Sequence, residues 1–380
     1  MSSEQSFDYA VVGAGIAGVS VAYRLSLEGS ASVVVLEREA QPAYHATGRS
    51  AAMFIETYGT PAIRALTRAS RAFYEHPPEG FAEHPLITPR GALYIATAEQ
   101  KTLLESTFVD LSDSAPGVRR VGPGEALARV PVLRPEELWG AIIDDDAQDV
   151  DVHALHQGYL RGLRNGGGVL RTHAELSRAE RHGNRWTVTL ADGQSVRAGV
   201  LVNAAGAWAD AVATRCEARP IGLVPRRRSA FTFAAPDGID CSRWPAVVGI
   251  DESFYFKPDA GQLLGSPANA DPVPPHDVMP EELDIALGID RIQKATTLVI
   301  QRPRHAWAGL RSFVPDGDFV VGRDDVCEGF FWLAAQGGYG IQTAAAAAEL
   351  AEALLRGRPM PDGLARQGLD PRSVAPGRLR

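Results

Sequence analysis

Two periods of apolar spacing run through the chain, and its amino end shows both. Residues 9–12 form a short apolar run that predicts a strand. Residues 19–27 carry apolar positions at helical spacing, and residues 32–36 are a continuous β-branched run of the kind buried on both faces of a parallel sheet. Gly29 stops the helix between them, so the order is strand, helix, strand in one βαβ unit. Helical spacing returns from about residue 61 to 74, over 153–164 up to Gly166-Gly167-Gly168, and from Ile341 onward. Apolar runs at 92–96, 138–143, 186–190, 195–202 and 330–335 predict strands. Ala191-Asp192-Gly193 has the chemistry of a hairpin turn between two of them. Residues 222–300 hold short strand-like runs among Pro and Gly, which predicts an antiparallel sheet inserted between parts of a first domain. The Pro77-Pro78 pair is the first expected crossing. The expected class is α/β with two domains.

At 380 residues the chain is long enough for that division. With 45% hydrophobic and 22% charged residues it has the composition of a globular protein and not of a disordered one. Lys+Arg number 38 and Asp+Glu 46, a formal net charge of −8, whereas a nucleic-acid binder needs a basic surplus. The run Arg226-Arg227-Arg228 is too short to reverse that sign. Cys216, Cys241 and Cys327 lie far apart in sequence with no C-x-x-C, so neither a zinc site nor a disulfide framework is expected. Residues 1–8 are polar, and no stretch reaches 18 apolar residues, because Glu349 and Glu352 break the alanine-rich segment. The expectation is a protein without a transmembrane segment, cytoplasmic or peripheral at the inner membrane.

The chemistry begins at Gly13-Ala14-Gly15-Ile16-Ala17-Gly18. G-x-G-x-x-G alone is a weak signal, but here it leaves a predicted strand and opens a predicted helix. Glu37 then closes the next strand about 20 residues on, the spacing of an acid that holds a ribose. Gly13 permits the turn, Gly15 lets the backbone approach a pyrophosphate, and Gly18 lets helix and strand pack closely; the helix N-terminus then faces the phosphates. Three further small-residue segments stand after strands or before helices: Thr47 to Ala52, Asn203 to Trp208 and Gly337 to Gln342. An isoalloxazine needs close backbone approach at several points and gains from a helix N-terminus, so FAD fits better than NAD.

These segments resemble the D-amino-acid oxidase/glycine oxidase superfamily of FAD amine oxidoreductases, and within it the bacterial D-arginine dehydrogenase type. The likeness spans essentially the whole chain. It also rests on Leu36-Glu37-Arg38-Glu39-Ala40, Arg227-Arg228-Ser229-Ala230-Phe231, Glu252-Ser253-Phe254-Tyr255, Trp307-Ala308-Gly309-Leu310-Arg311 and Ala335-Gln336-Gly337-Gly338-Tyr339-Gly340-Ile341-Gln342. It implies a discontinuous Rossmann-like FAD domain (1–82, 146–217 and 307–380) and an antiparallel-sheet substrate domain (83–145 and 218–306). It implies that Glu37 and Arg38 stand at the adenosine ribose and Glu175 at the adenine. Ala46, Thr47, Gly48, Arg49, Ser50, Ala51 and Ala52 would wrap the pyrophosphate and approach the flavin. Gly13, Gly15, Ala17, Gly18, Ala205, Gly206, Trp208, Gly309, Gly337, Gly338, Tyr339, Gly340, Ile341 and Gln342 would complete the FAD site. Gly309 stands where the sarcosine-oxidase branch carries a flavin-linked cysteine, so the resemblance implies FAD held non-covalently.

A zwitterionic amino acid needs its carboxylate fixed, and arginine does this bidentately. The resemblance assigns that work to Arg311 and Tyr255, with Arg228, Gly338 and Tyr58 as further pocket positions and Tyr58 on a loop over the site. Where the D-arginine dehydrogenase type has a glutamate this chain has Ala92, and Met53 and Ile55 replace polar positions, which points to neutral, apolar D-amino acids. The implied reaction is hydride transfer from Cα to flavin N5, then hydrolysis of the imino acid to a 2-oxo acid and ammonia, with O₂ or a quinone as final acceptor. A glycine/sarcosine-type secondary-amine oxidase and a non-catalytic flavin-binding protein are the alternatives. Asp144, Asp145, Asp146, Asp149 and Asp151 lack the glycine and closing glutamate of a calcium loop and are expected to cap a helix and line a solvated loop. His153 and His156, three apart on a helix, have no partner pair for a metal, and His45 and His305 are expected to be structural.

Overall fold

In the computed structural model, which describes residues 5–27, 29, 31–112, 115 and 117–380, the βαβ unit forms as expected. Strand β1 (Gln5–Val12) leads into helix α1 (Ile16–Ser26) and strand β2 (Val33–Leu36), and β1 pairs β2 in parallel. All four residues of β2 are buried, which its unbroken β-branched run requires. On the other side β1 pairs in parallel with the strand Ser195–Asn203, which pairs in parallel with Phe330–Ala334. The hairpin from Arg185–Leu190 turns at Gly193, in the left-handed region at φ +84°. These strands belong to an eight-stranded mixed sheet.

Helices cover that sheet through small and apolar side chains. Ala344, Ala346, Ala347, Ala348 and Ala351 of the helix Gly340–Leu355 join Val19, Val21, Ala22 and Leu25 of α1 in one core. The helix Val152–Asn165 starts one residue before the sequence reading and is capped by Asp151, whose carboxylate accepts from Ala154 N at 2.8 Å. Asp151→Ala should therefore lower unfolding free energy by about 1 kcal/mol. Urea titration of the variant beside the parent checks this: an unchanged midpoint would mean that the cap contributes nothing.

The second sheet has nine strands, in the main path Asp271–Pro272, Val224–Phe233, Gln262–Ser266, Tyr255–Asp259, Ala246–Gly249, Ala92–Ala96, Gly140–Asp144 and Val118–Val121. His305–Phe313 pairs along the other edge of Val224–Phe233. Two features depart from the sequence reading. The sheet is not wholly antiparallel, because Ala246–Gly249 runs parallel to Ala92–Ala96. The segment 222–300, read as strand-like runs of an antiparallel sheet, also contains a 14-residue helix, Glu282–Ala295, with Glu282 and Asp284 in its first turn and Lys294 in its last, charges that suit the helix dipole. A small three-stranded sheet joins Met53–Phe54, Gln148–Val150 and Ile87–Pro89.

The acidic cluster is less solvated than its sequence suggests. Asp145 is exposed, but Asp144 is buried, accepting from Thr57 Oγ1 at 2.9 Å, and burial pushes its carboxyl up from the usual range. Asp149 lies between Arg90 and Lys257, each at 2.6 Å. Among the described residues no group of His, Cys, Asp and Glu is arranged to hold a metal, and no helix is long and apolar enough to cross a membrane. The three cysteines are free, although Cys327 Sγ lies 3.8 Å from the Cys216 carbonyl oxygen.

Candidate active site

One cleft begins at the carboxyl ends of the parallel strands, at Val12, Leu36, Ala204 and Ala334, where open α/β sheets bind ligands. It continues to Arg228, Tyr255, Gly309 and Arg311 of the second sheet. Its empty space is about 1690 Å³ counting the open mouth. The lining runs without a break from the glycine loop at one end to Arg228, Tyr255 and Arg311 at the other, an elongated site with room for more than one ligand group along it.

The end of the cleft at the strand ends is built from the glycine loop. Gly13 has φ +101°, and a Cβ there would stand 2.5 Å from the Ala204 carbonyl oxygen. A Cβ on Gly18 would overlap the Gly13 carbonyl oxygen, so helix and loop pack at backbone distance. Glu37 is buried, and its carboxylate accepts from Ala14 N at 2.8 Å and Glu39 N at 2.9 Å. Those two bonds leave carboxylate lone pairs for the cleft that Glu37 lines. His156 is not a ligand: its Nε2 lies 2.9 Å from the Ala14 carbonyl oxygen, and burial holds the ring below the ordinary histidine range, so a neutral ring donates and steadies the loop. Thr47 accepts from Ile16 N at 3.0 Å, so the segment around it folds back over the start of α1. Arg38 pairs with Glu39 and lies 5.0 Å from the centre of the Trp208 ring. His305 stacks on Trp307, whereas His45, expected to be structural, contacts Glu39 at 2.9 Å and Trp208 and also lines the cleft.

Arg49 ties this segment to distant chain. It donates to the carbonyl oxygens of Val278 at 3.0 Å and Ala308 at 3.1 Å and pairs with Asp277 at 2.5 Å. Its own carbonyl accepts from Trp307 Nε1 at 2.9 Å.

At the other end Arg228 and Arg311 stand on neighbouring antiparallel strands, with Arg228 opposite Gly309 in register. Arg311 donates to the Tyr58 hydroxyl at 3.4 Å. A Cβ on Gly338 would lie 2.7 Å from Arg311 Nη1, so the glycine clears the guanidinium's place. Among the described residues neither arginine has a carboxylate within 4.0 Å. Burial first, and then the positive charge of Arg311, bring Arg228 down to about 10. Two sheltered, uncompensated guanidinium groups make a site for an anion.

The cleft brings together Gly13, Gly15, Ala17, Glu37, Arg38, Ala46, Thr47, Arg49, Ser50, Ala51, Glu175, Ala205, Gly206, Trp208, Gly309, Gly337, Gly338, Gly340 and Ile341 with Arg228, Tyr255 and Arg311. The carbonyl of Glu175 already accepts from Ala191 N at 2.8 Å, and its carboxylate pairs with Arg215. Several expected positions stand elsewhere. Gly18 and Gly48 pack against backbone, and Ala52 packs on the core beside α1. Gln342 is buried and donates to Thr67 Oγ1 at 2.8 Å, joining two helices. Tyr339 stacks edge-on against Tyr58 at 4.9 Å. Ala92 needs correction as a substrate contact, because the whole strand Ala92–Ala96 is buried and Ala92 is 0% exposed. Met53, Ile55 and Tyr58 pack in the same apolar cluster as Ala92, beside the cleft. Sequence reasoning missed Tyr44, Arg215 and Gln336, which also line it. Gln336 directly precedes the Gly337 turn and could have been included on that ground; Arg215 has no sequence signal.

The chain matches the family profile described as DAO, FAD dependent oxidoreductase, over residues 8–354. It is 25% identical over 270 residues to mitochondrial dimethylglycine dehydrogenase of Rattus norvegicus, covering 68% of this chain and 30% of that protein. The chain thus spans less than a third of that relative's length. Glycine oxidase from Geobacillus kaustophilus superposes with a TM-score of 0.82 at 19% identity, covering 93% of this chain and 96% of that one. Dithionite-reduced L-α-glycerophosphate oxidase from Mycoplasma pneumoniae, with FAD bound, gives 0.83 at 16% identity over 93% and 95%.

Proposed function

Because the chain belongs to the DAO family of FAD-dependent oxidoreductases, we propose that it oxidises D-amino acids with neutral, apolar side chains to 2-oxo acids and ammonia. The observation that carries this reading is the pair Arg228 and Arg311 at one end of the cleft, two guanidinium groups with no carboxylate within 4.0 Å among the described residues. Residues 1–82, 146–217 and 314–380 would form the FAD unit and 83–145 and 218–313 the substrate unit; the boundary expected at 307 moves to 314 because His305–Phe313 pairs along Val224–Phe233 in the second sheet.

The residues present fit the cofactor. Glu37, the amino end of α1 and the segment Ala46 to Ala51 would hold the adenosine and pyrophosphate, and Gly337 to Ile341 at a helix start would face the ring. When bound, FAD supplies the two-electron acceptor for the substrate's Cα–H bond. Gly309 supports non-covalent attachment: a Cβ there would meet nothing nearer than Arg49 Cβ at 3.7 Å, so the place is open but offers no nucleophile. Acid precipitation should release all the flavin into the supernatant; a washed pellet that stays yellow would overturn this.

Arg311 would fix the substrate carboxylate, with Tyr255 and Tyr58 on its flanks. Beside two guanidinium groups the charged form of the amine is disfavoured, and its proton can leave through the open mouth to water without a side-chain base. The preference for uncharged side chains follows from the acids near by. Glu37 and Glu175 are the acids lining the cleft among the described residues, and both serve the nucleotide end. Glu56 pairs with Arg71 at 2.6 Å, and Glu252 is exposed, where water screens it. A guanidinium side chain would thus enter without a sheltered partner, at a cost of several kcal/mol. Steady-state kinetics on a D-amino-acid panel with an artificial acceptor should give higher kcat/KM for D-leucine, D-methionine and D-phenylalanine than for D-arginine. The reverse order would refute the side-chain reading. Anaerobic bleaching by sarcosine in place of D-amino acids would instead favour a secondary-amine oxidase, and O₂ consumption in the same panel separates an oxidase from a dehydrogenase.

A further inference from the structure

We propose that Asn269 is a positioning residue for Arg228, fixing the loop 267–270 so that its own carbonyl aims the guanidinium into the anion site. This rests on the reading of Arg228 as part of the substrate's carboxylate site. Arg228 Nε donates to the Asn269 carbonyl oxygen at 2.7 Å, while its outer nitrogens meet no carboxylate among the described residues. An arginine side chain has many rotamers to lose when it is held in place, so this anchor decides whether the guanidinium is preorganised.

The anchor is itself held on every side. Asn269 Oδ1 accepts from Ser229 N at 2.8 Å, and Asn269 Nδ2 donates to Asp284 at 3.0 Å and Asp271 at 2.9 Å. Asp284 is buried on the helix Glu282–Ala295 and also accepts from Ser229 Oγ and Arg227 Nε, each at 2.9 Å. From the other side Ser266 Oγ donates to the Ser229 carbonyl oxygen at 2.6 Å and accepts from Ala268 N at 3.0 Å. Between these grips Ala268 sits at φ +51°, a left-handed conformation that a residue with a Cβ rarely adopts. Strain of this kind persists only where the surroundings over-determine it. The frame also separates three consecutive arginines. Arg226 donates to the Ala270 carbonyl oxygen at 3.0 Å, Arg227 points to Asp284 on the far face, and Arg228 is left for the cleft.

The test is a double-mutant cycle on the FAD-loaded enzyme, reading the Kd of propionate, a plain carboxylate, by calorimetry. Asn269→Ala should weaken propionate about tenfold in the parent background and less than twofold in an Arg228→Met background, with FAD content unchanged. A merely structural residue would cost the same in both backgrounds, and that result, or no loss in the parent, overturns the role of Asn269. Propionate that fails to bind the parent, or binds Arg228→Met equally well, overturns the anion-site reading itself. Should Asn269→Ala not fold, Asn269→Ser keeps a short hydroxyl for Ser229 N. It is then expected to lose about threefold, again in the parent background alone, and equal losses in both backgrounds count against the proposal.

Discussion

Arg311→Met should lower kcat/KM by on the order of 3–5 kcal/mol, a factor of about 10²–10⁴, the scale for removing one partner of a sheltered charge pair. The expectation rests on the site's construction around that guanidinium: Tyr58 accepts from it at 3.4 Å, and Gly338 leaves room at 2.7 Å where any Cβ would press on Nη1. Methionine keeps much of the length and apolar stem, so the loss reports the charge and its fork of donors. Steady-state kinetics on the best D-amino acid, with flavin content measured in parallel, separates this from damage to the cofactor site. A loss below tenfold would hand the anchoring to Arg228.

The second large effect is expected at Gly18. In Gly18→Ala the new methyl group would overlap the Gly13 carbonyl oxygen, a backbone atom that cannot rotate away. Either α1 moves off the sheet or the glycine turn shifts. In both cases the amides that should face the pyrophosphate lose their places, and misplacement by about 1 Å can cost around a hundredfold. The variant should purify largely free of FAD and rebind it at least 100-fold more weakly in a fluorescence titration. Full flavin occupancy at parental affinity would show that close packing at Gly18 is dispensable.

Local signals gave the sequence reading most of its reach. The βαβ unit, the Asp192-Gly193 hairpin and the helix following Gly340 were legible because turn chemistry, spacing and burial agree there. The glycine-loop end of the cleft was readable for the same reason, since Gly13, Gly15 and Gly18 fall within one six-residue segment. The parallel pairing of Ala246–Gly249 with Ala92–Ala96 left no trace, because a buried strand of either direction reads as the same apolar run. The helix Glu282–Ala295 lay hidden among Pro-rich neighbours. At the substrate end the positions taken from resemblance split. Arg228, Tyr255 and Arg311 converge on the cleft, while Ala92 falls inside a packed layer. Whether one residue of a strand reaches a cavity depends on sheets that pack across it from far away in the chain, and no local pattern records that.

The grip of Arg49 on Val278, Ala308 and Asp277 has a consequence for time. Residues more than 225 positions away hold down the segment proposed to cover the pyrophosphate, so on that proposal release of the flavin needs more than the motion of one short loop. Its exit requires several contacts between remote parts of the chain to open together, a sub-global event with a high barrier. Cofactor retention is then governed by how seldom the protein opens and much less by how tightly the closed cleft binds. An enzyme built this way is expected to exchange its flavin with the surrounding pool on the clock of that partial opening.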